Sequence, residues 1–394
     1  MGDDELIDLV RELVEIPSVN PSLGDGLGLG GEGRGGGTGE AVVARFAAGW
    51  LAARGFEVWL AGRDAHRPSV LAVAAGSGDG RTLLINGHLD TVGVEAFTGY
   101  PFDARISGGR MRGRGVYDMK SGAAAAMIAA SRASASGLRG DVVLTLVADE
   151  EFASAGTEDS LLALAERRIR ADGAIVVEPT GSRLTVAHRG FAWFTLAITG
   201  VPAHGSQPEL GVDAIEYTTD VLLALRALDV ELDSRPAHPL LPRSTVRVAT
   251  IDAGTDAATV AARASLTIER RTLPGETPAE VRRELEAAIA SVAAADGIRW
   301  ELTELVSRAA FETPVDAAIQ RVVSDAVEQV TGSPVEVQGD PWWTDAGLLA
   351  EAGIPTVLFG VDGGGAHAPD EWVDLASVQR LAAVLERSIA DFCS

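Results

Sequence analysis

The chain has 394 residues, more than a single hydrophobic core usually serves, so two compact units are expected. Its 46% hydrophobic and 23% charged residues argue against a disordered protein. A formal net charge of -23 argues against a nucleic acid or an anionic membrane as partner, because the average surface repels both.

Cys393 stands alone, so neither an intramolecular disulfide nor a thiolate site is expected. The opening MGDDELIDLVRELVEIPSV carries acids where a secretory signal carries bases, and Leu6 stands where a myristoylation signal needs Ser or Thr. No apolar run approaches the roughly 20 residues of a membrane helix, and a cytoplasmic enzyme is the simplest class.

In chain order, apolar residues over Glu5–Glu15 recur at helical spacing and predict an opening helix, broken by Pro17 and Pro21. The Gly-rich stretch Gly24 to Gly39 reads as a surface loop. Its GxGxxG-like spacings do not lie between a strand and a helix, so they make no dinucleotide fingerprint. Helices are expected over Glu40–Arg54, Ser121–Ser136 and Leu161–Arg168. Strands are expected over Glu57–Leu60, Ser69–Ala75, Thr82–Asn86, Asp141–Ala148 and Gly173–Val177. This alternation predicts an α/β sheet covered on both faces, with ligands beyond the carboxyl ends of its strands. His88, the acids after Ala148 and Glu178 all fall there.

From His188 the texture changes. Strand Phe191–Thr199, helix Asp213–Leu228, strands Ser244–Ile251 and Ser265–Arg270, helix Glu280–Ala294 and a strand around Ile298–Leu302 follow. That order is the one of a small ferredoxin-like unit. Pro314–Val330 then returns to helical spacing, and Pro355–Phe359 is an apolar strand ahead of His367. The expected organisation is a catalytic domain in two parts, 1–187 and 304–394, interrupted by an inserted domain over 188–303.

His88, in LLINGHLDTV, directly follows an apolar strand, and a neutral imidazole nitrogen is a good ligand for zinc-like ions. Asp90, two residues on, is placed to bond the other ring nitrogen or steady a neighbouring ligand. Asp118, in GRGVYDMKSGAAAAM, reads either as a helix N-cap or as a carboxylate whose two oxygens bridge two ions. Glu150 and Glu151 end the strand DVVLTLVADEE, where adjacent buried acids are costly without a cation. Alternation points them to different sides, so one can ligate while the other takes a proton from water. Glu178 ends GAIVVE, and His367 sits in the Gly-rich loop of VDGGGAHAPDEWV. Singly, each also reads as an ordinary loop residue.

The strings HLDTV, GRGVYDMKSG, ADEE, VVEPT and AHAPDEWV, in this order, resemble the metallopeptidase and deacylase family of acetylornithine deacetylase. Its relatives include succinyl-diaminopimelate desuccinylase, aminoacylase and glutamate carboxypeptidase. The resemblance covers nearly the whole chain. It implies an α/β, two-metal aminopeptidase-like catalytic domain whose inserted ferredoxin-like unit serves as lid and dimerisation domain. By the same implication His88 and Glu178 bind one metal, Glu151 and His367 the other, and Asp118 bridges them. Glu150 is then the general base, and Asp90 orients His88. Two divalent ions are implied, zinc first, with cobalt or manganese as alternatives.

In the inserted domain, His204 of ITGVPAHGSQPELGVDAI matches a histidine that reaches the partner subunit's active site in a homodimer and stabilises the oxyanion. Arg271, in IERRTLPGET, matches an arginine that grips the substrate carboxylate. Strand alternation lets only one of Arg270 and Arg271 face a cleft, and the spacing to Pro274-Gly275 favours Arg271. One departure stands out. Relatives commonly carry an asparagine and a proline ahead of a DxR motif, where this chain has Ala258, Ala261 and Glu269.

Glu178 in place of Asp resembles the deacylase branch, as does WTDAGLLAEAGIPTVLFG. The expected reaction is removal of an N-acyl group from an amino acid or related amine. The alternatives are a dipeptidase or carboxypeptidase acting on a small peptide and, behind it, a metal-binding homologue without turnover. A nucleotide-binding reading of the Gly24–Gly39 loop lacks the acid a βαβ unit would need.

Overall fold

The computed structural model of the chain describes residues 2–23, 39–293 and 296–394. The expected surface loop at Gly24 to Gly39 lies outside these residues, except for Gly39, which opens the helix Gly39–Ala52. By internal contacts the chain divides into two units. The larger comprises 1–186, 313–338 and 344–394, and the smaller 187–312 and 339–343. The second crossing therefore falls at 312/313, beyond the expected 303/304, because the strand Arg299–Arg308 runs the full length of its neighbour Gly190–Thr199.

In the larger unit a sheet runs in the order Glu57–Ala61, Ser69–Ala74, Val142–Val147, Leu83–His88, Gly173–Val176, Thr356–Leu358, then Leu184–His188. The four central strands, from Val142–Val147 to Thr356–Leu358, are parallel, whereas the flanking pairs are antiparallel. Parallel strands need cover on both faces and read as continuous apolar runs, which VVLTLV and GAIV are. The helices Gly2–Glu15, Gly39–Ala52, Ser121–Ala135, Ala318–Thr331 and Leu375–Phe392 share one continuous core with these strands. Helix Ala155–Glu166 packs on strands Ser69–Ala74 and Val142–Val147. It starts six residues before the sequence-based expectation. Its polar first turn is buried and paired, Thr157 donating to Asp345 at 2.6 Å and Ser160 to the Gly156 carbonyl at 2.8 Å. The closing helix Leu375–Phe392 was not anticipated, although Asp374 caps it and Val378, Leu381, Leu385 and Ile389 recur at helical spacing.

Register brings the functional strands level. His88 pairs with Val147 and Asn86 with Val176, so three adjacent strands end together. Gly122, in the first turn of helix Ser121–Ala135, permits a close approach there, since a Cβ would meet the Val177 carbonyl at 2.2 Å.

The smaller unit has one antiparallel sheet in the order Thr245–Ala253, Arg263–Thr272, Gly190–Thr199, Arg299–Arg308. Numbered within the unit this is 2-3-1-4, the ferredoxin-like arrangement, with helices Ala214–Asp233 and Pro278–Ala290 contributing to its core. Among the described residues, no helix is long and apolar enough to cross a membrane.

Candidate metal centre

His88 is the last residue of a central parallel strand and is almost fully buried. Its Nδ1 lies 2.9 Å from the Asp90 carbonyl oxygen, which can only accept, so Nδ1 carries a proton and donates it. That leaves Nε2 facing Asp118 Oδ1 at 3.1 Å and Glu178 Oε1 at 3.9 Å. Glu178 stands two residues past the adjacent strand Gly173–Val176.

Asp118 is not a helix cap. Helix Ser121–Ala135 begins three residues later, its N-cap position falls on Lys120, and no side-chain cap bond is made there. Its second oxygen, Oδ2, lies 3.4 Å from His367 Nε2, which also meets Glu151 Oε2 at 2.9 Å. Two groups thus form, His88–Asp118–Glu178 and Asp118–Glu151–His367, each with ligand atoms within 4.8 Å of one another. Asp118 belongs to both.

The electrostatics match the donor chemistry. Burial pushes the carboxyls of Glu150 and Glu178 well above the usual range, and nearby acids add to the shift. Burial also raises Glu151, against the pull of His367. Burial opposes charging the His88 ring, but Asp118, Glu178 and Glu150 outweigh it and hold that ring protonated above the ordinary imidazole range. Asp118 and Glu151 lift His367 to about 10. The cluster lacks positive charge and borrows protons to supply it. Carboxylate oxygens and imidazole nitrogens are also the donors that zinc-like dications accept, so the residues fit such ions.

Behind these side chains lies a network that the sequence did not reveal. Asp90 Oδ1 and Oδ2 accept the backbone amides of Glu150 and Glu151 at 3.1 and 3.2 Å, while its carboxylate stays 3.7 Å from His88 Nδ1. The Asp90 carbonyl therefore orients the ring, and its carboxylate aims the two glutamates. Asn20 Nδ2 donates to Asp90 at 2.8 Å and to Asp149 at 3.2 Å. Arg67 Nη2 binds Asn20 Oδ1 at 3.0 Å and Asp149 Oδ1 at 2.7 Å, and Arg67 Nε binds the buried Glu40 at 2.5 Å. Asp149 itself has φ +67°, a left-handed turn that aspartate tolerates better than most residues. Lys120, wholly buried, donates to the carbonyls of Leu13 and Ile16 at 2.9 and 2.8 Å and so ties down the end of the first helix. The only prior signal for these residues was their place inside short motifs such as PSVNPS and DMKSG.

In the smaller unit, Arg270 is fully buried and bonds Glu276 and Glu284 at 2.7 and 3.2 Å, a structural role. Arg271 points the other way, is partly exposed, and pairs with Glu269 at 2.9 Å. Glu269, the acid of this chain's altered DxR motif, also holds Arg247 at 2.5 Å and Trp193 Nε1 at 3.3 Å. His204 is exposed on a loop, where the Ser206 amide donates to its Nδ1 at 3.1 Å. That leaves the proton on Nε2. Ala258 is exposed beside it, its carbonyl accepting the Gly205 amide at 2.6 Å.

The profile of Peptidase family M20/M25/M40 matches residues 84–391. The chain is 33% identical over 401 residues to a succinyl-diaminopimelate desuccinylase of Methylobacterium sp. (strain 4-46), covering 96% of this chain and 94% of that one. It is 29% identical over 400 residues to an acetylornithine deacetylase of Proteus mirabilis (strain HI4320), covering 98% and 96%. Among solved structures, the Bacillus subtilis YXEP protein, described as a dinuclear metal-binding peptidase, superposes with a TM-score of 0.71 at 17% identity, covering 99% of each chain.

Proposed function

We propose, since the chain belongs to peptidase family M20/M25/M40, that this hydrolytic enzyme removes an N-acyl group from an amino acid or related amine at a two-ion site. The observation that carries this reading is the sharing of Asp118 between two ligand groups. The names of the desuccinylase and deacetylase relatives supply the substrate class. In it, His88 and Glu178 hold one divalent ion, Glu151 and His367 the other, and Asp118 both, with zinc the first choice for imidazole and carboxylate donors. When bound, such ions supply Lewis acidity and acidify water.

Glu150 is the general base: its carboxylate takes the proton of the attacking water and returns it to the leaving nitrogen. Burial and neighbouring acids raise its pKa above the ordinary carboxylate range, the direction that makes a carboxylate a stronger base. Asp90 aims it through the backbone amide. Arg271 is assigned to the substrate carboxylate, with Glu269 fixing the direction of its fork. His204, with its Nε2 proton free to donate, is assigned to the oxyanion across a homodimer. Exposed Ile215, Leu223 and Val230 on helix Ala214–Asp233, with Ile251 on the edge strand Thr245–Ala253, support that pairing.

Glu150→Ala is expected to lower turnover by about 10²–10⁴-fold while zinc content, measured by elemental analysis, stays near wild type. Near-normal turnover in that variant would remove Glu150 from the role. Zinc-loaded enzyme should cleave N-acetyl or N-succinyl amino acids in preference to dipeptides. Cleavage of dipeptides alone would favour a peptidase.

A further inference from the structure

Glu371 lies four residues beyond His367 and is fully buried. Its Oε1 accepts the backbone amides of Tyr117 and Asp118 at 2.8 and 3.1 Å. Its Oε2 accepts the Gly115 amide at 2.9 Å and Arg114 Nη1 at 2.6 Å, and its backbone carbonyl accepts the Gly113 amide at 3.2 Å. Arg114 is buried as well, and its Nη2 reaches the carbonyl of Ala368, the residue next to His367, at 3.1 Å. Gly115 is left-handed and Asp118 extended, so no regular ladder runs through the segment. Its donors converge on one carboxylate instead.

A carboxylate removed from water is costly unless charge-assisted bonds replace its hydration, and here four do. The result is a strut between the loop that carries Asp118 and the loop that carries His367. The same two loops also meet through the pairing of Arg110–Arg112 with Trp372–Asp374 and through the Arg112–Asp370 ion pair, both short of the Asp118 and His367 side chains. We propose that Glu371 is a positioning residue of the two-ion site, fixing the Asp118 carboxylate against His367 and thereby setting the affinity for the ion those two share. The proposal rests on the ligand assignment made above.

Glu371→Gln preserves shape but replaces one acceptor oxygen with a donor facing amide protons. In the metal-stripped protein, hydrogen exchange should speed up in the peptide spanning 113–118 and stay unchanged elsewhere. Zinc titration against a competing chelator should show one equivalent bound about 10–100-fold more weakly, the range typical for partners of metal ligands. The kcat should fall with KM little changed, and Glu371→Asp should recover part of both effects. Should Glu371→Gln fail to fold, Arg114→Lys carries the same measurements, because it keeps a cation beside Glu371 but loses the reach to Ala368. A variant that melts earlier yet binds zinc and turns over like wild type, per folded molecule, would make Glu371 a structural residue only. Wild-type protein that takes up no second equivalent would sink the ligand assignment itself, and this inference with it.

Discussion

His88 and His367 approach the same carboxylate from opposite surroundings. The His88 side chain is 1% exposed and ends a parallel strand, with its ring tautomer set by the Asp90 carbonyl. The His367 side chain is 55% exposed on a loop, with its backbone in the left-handed region at φ 59°. Main-chain ladders of the sheet place the first. The second sits on the hairpin loop between Gly363–Gly364 and Trp372–Asp374, which Glu371 and Arg114 tie to the Asp118 loop. One site therefore has a half that shares the stability of the core and a half that depends on a local strut.

The largest effect expected is from Asp118→Ala, which removes the carboxylate common to both halves. Zinc stoichiometry should drop below two and hydrolysis should be lost. A variant that still held two equivalents tightly would show that the halves do not share a ligand.

The comparison itself is tested by His88→Ala against His367→Ala in metal-stripped protein. Removing the buried imidazole takes the cationic partner from buried carboxylates and should cost on the order of 3 kcal/mol in urea unfolding. Removing the half-exposed one should cost less, because water reaches its ring and reaches its partners once it is gone. Equal costs would erase the distinction between a core half and a loop half.

The smallest effect comes from Asn20→Ala, which interrupts the chain of bonds from Arg67 to Asp90. The expected outcome is about a tenfold loss in zinc affinity with little change in unfolding, read by chelator competition. No change in affinity would confine the Asn20 network to holding the fold.

Much of this was legible beforehand, for identifiable reasons. Local periodicity marked the strands that precede His88, Glu150 and Glu178, because a buried parallel strand must be apolar over its whole length. The strand–helix order of 190–308 likewise predicted the 2-3-1-4 sheet. The N-cap reading of Asp118, by contrast, depended on the exact start of the helix, which falls at Ser121 with Lys120 at the cap position and which spacing does not encode. Asp90 was identified as an orienting acid, but its carboxylate turns out to aim the Glu150 and Glu151 backbone.

By itself, then, the sequence marked the candidate donor residues and, for His88, Glu151 and Glu178, the strands that lead to them. Each of these is a short-range matter of a few residues. Tertiary structure alone decided what holds those residues in place. Glu371 meets Asp118 across 253 positions and Asn20 meets Asp90 across 70, and no local pattern signals such pairs. The physical reason is that a buried polar group must find a partner wherever the fold brings one, and its distance along the chain does not enter the energy.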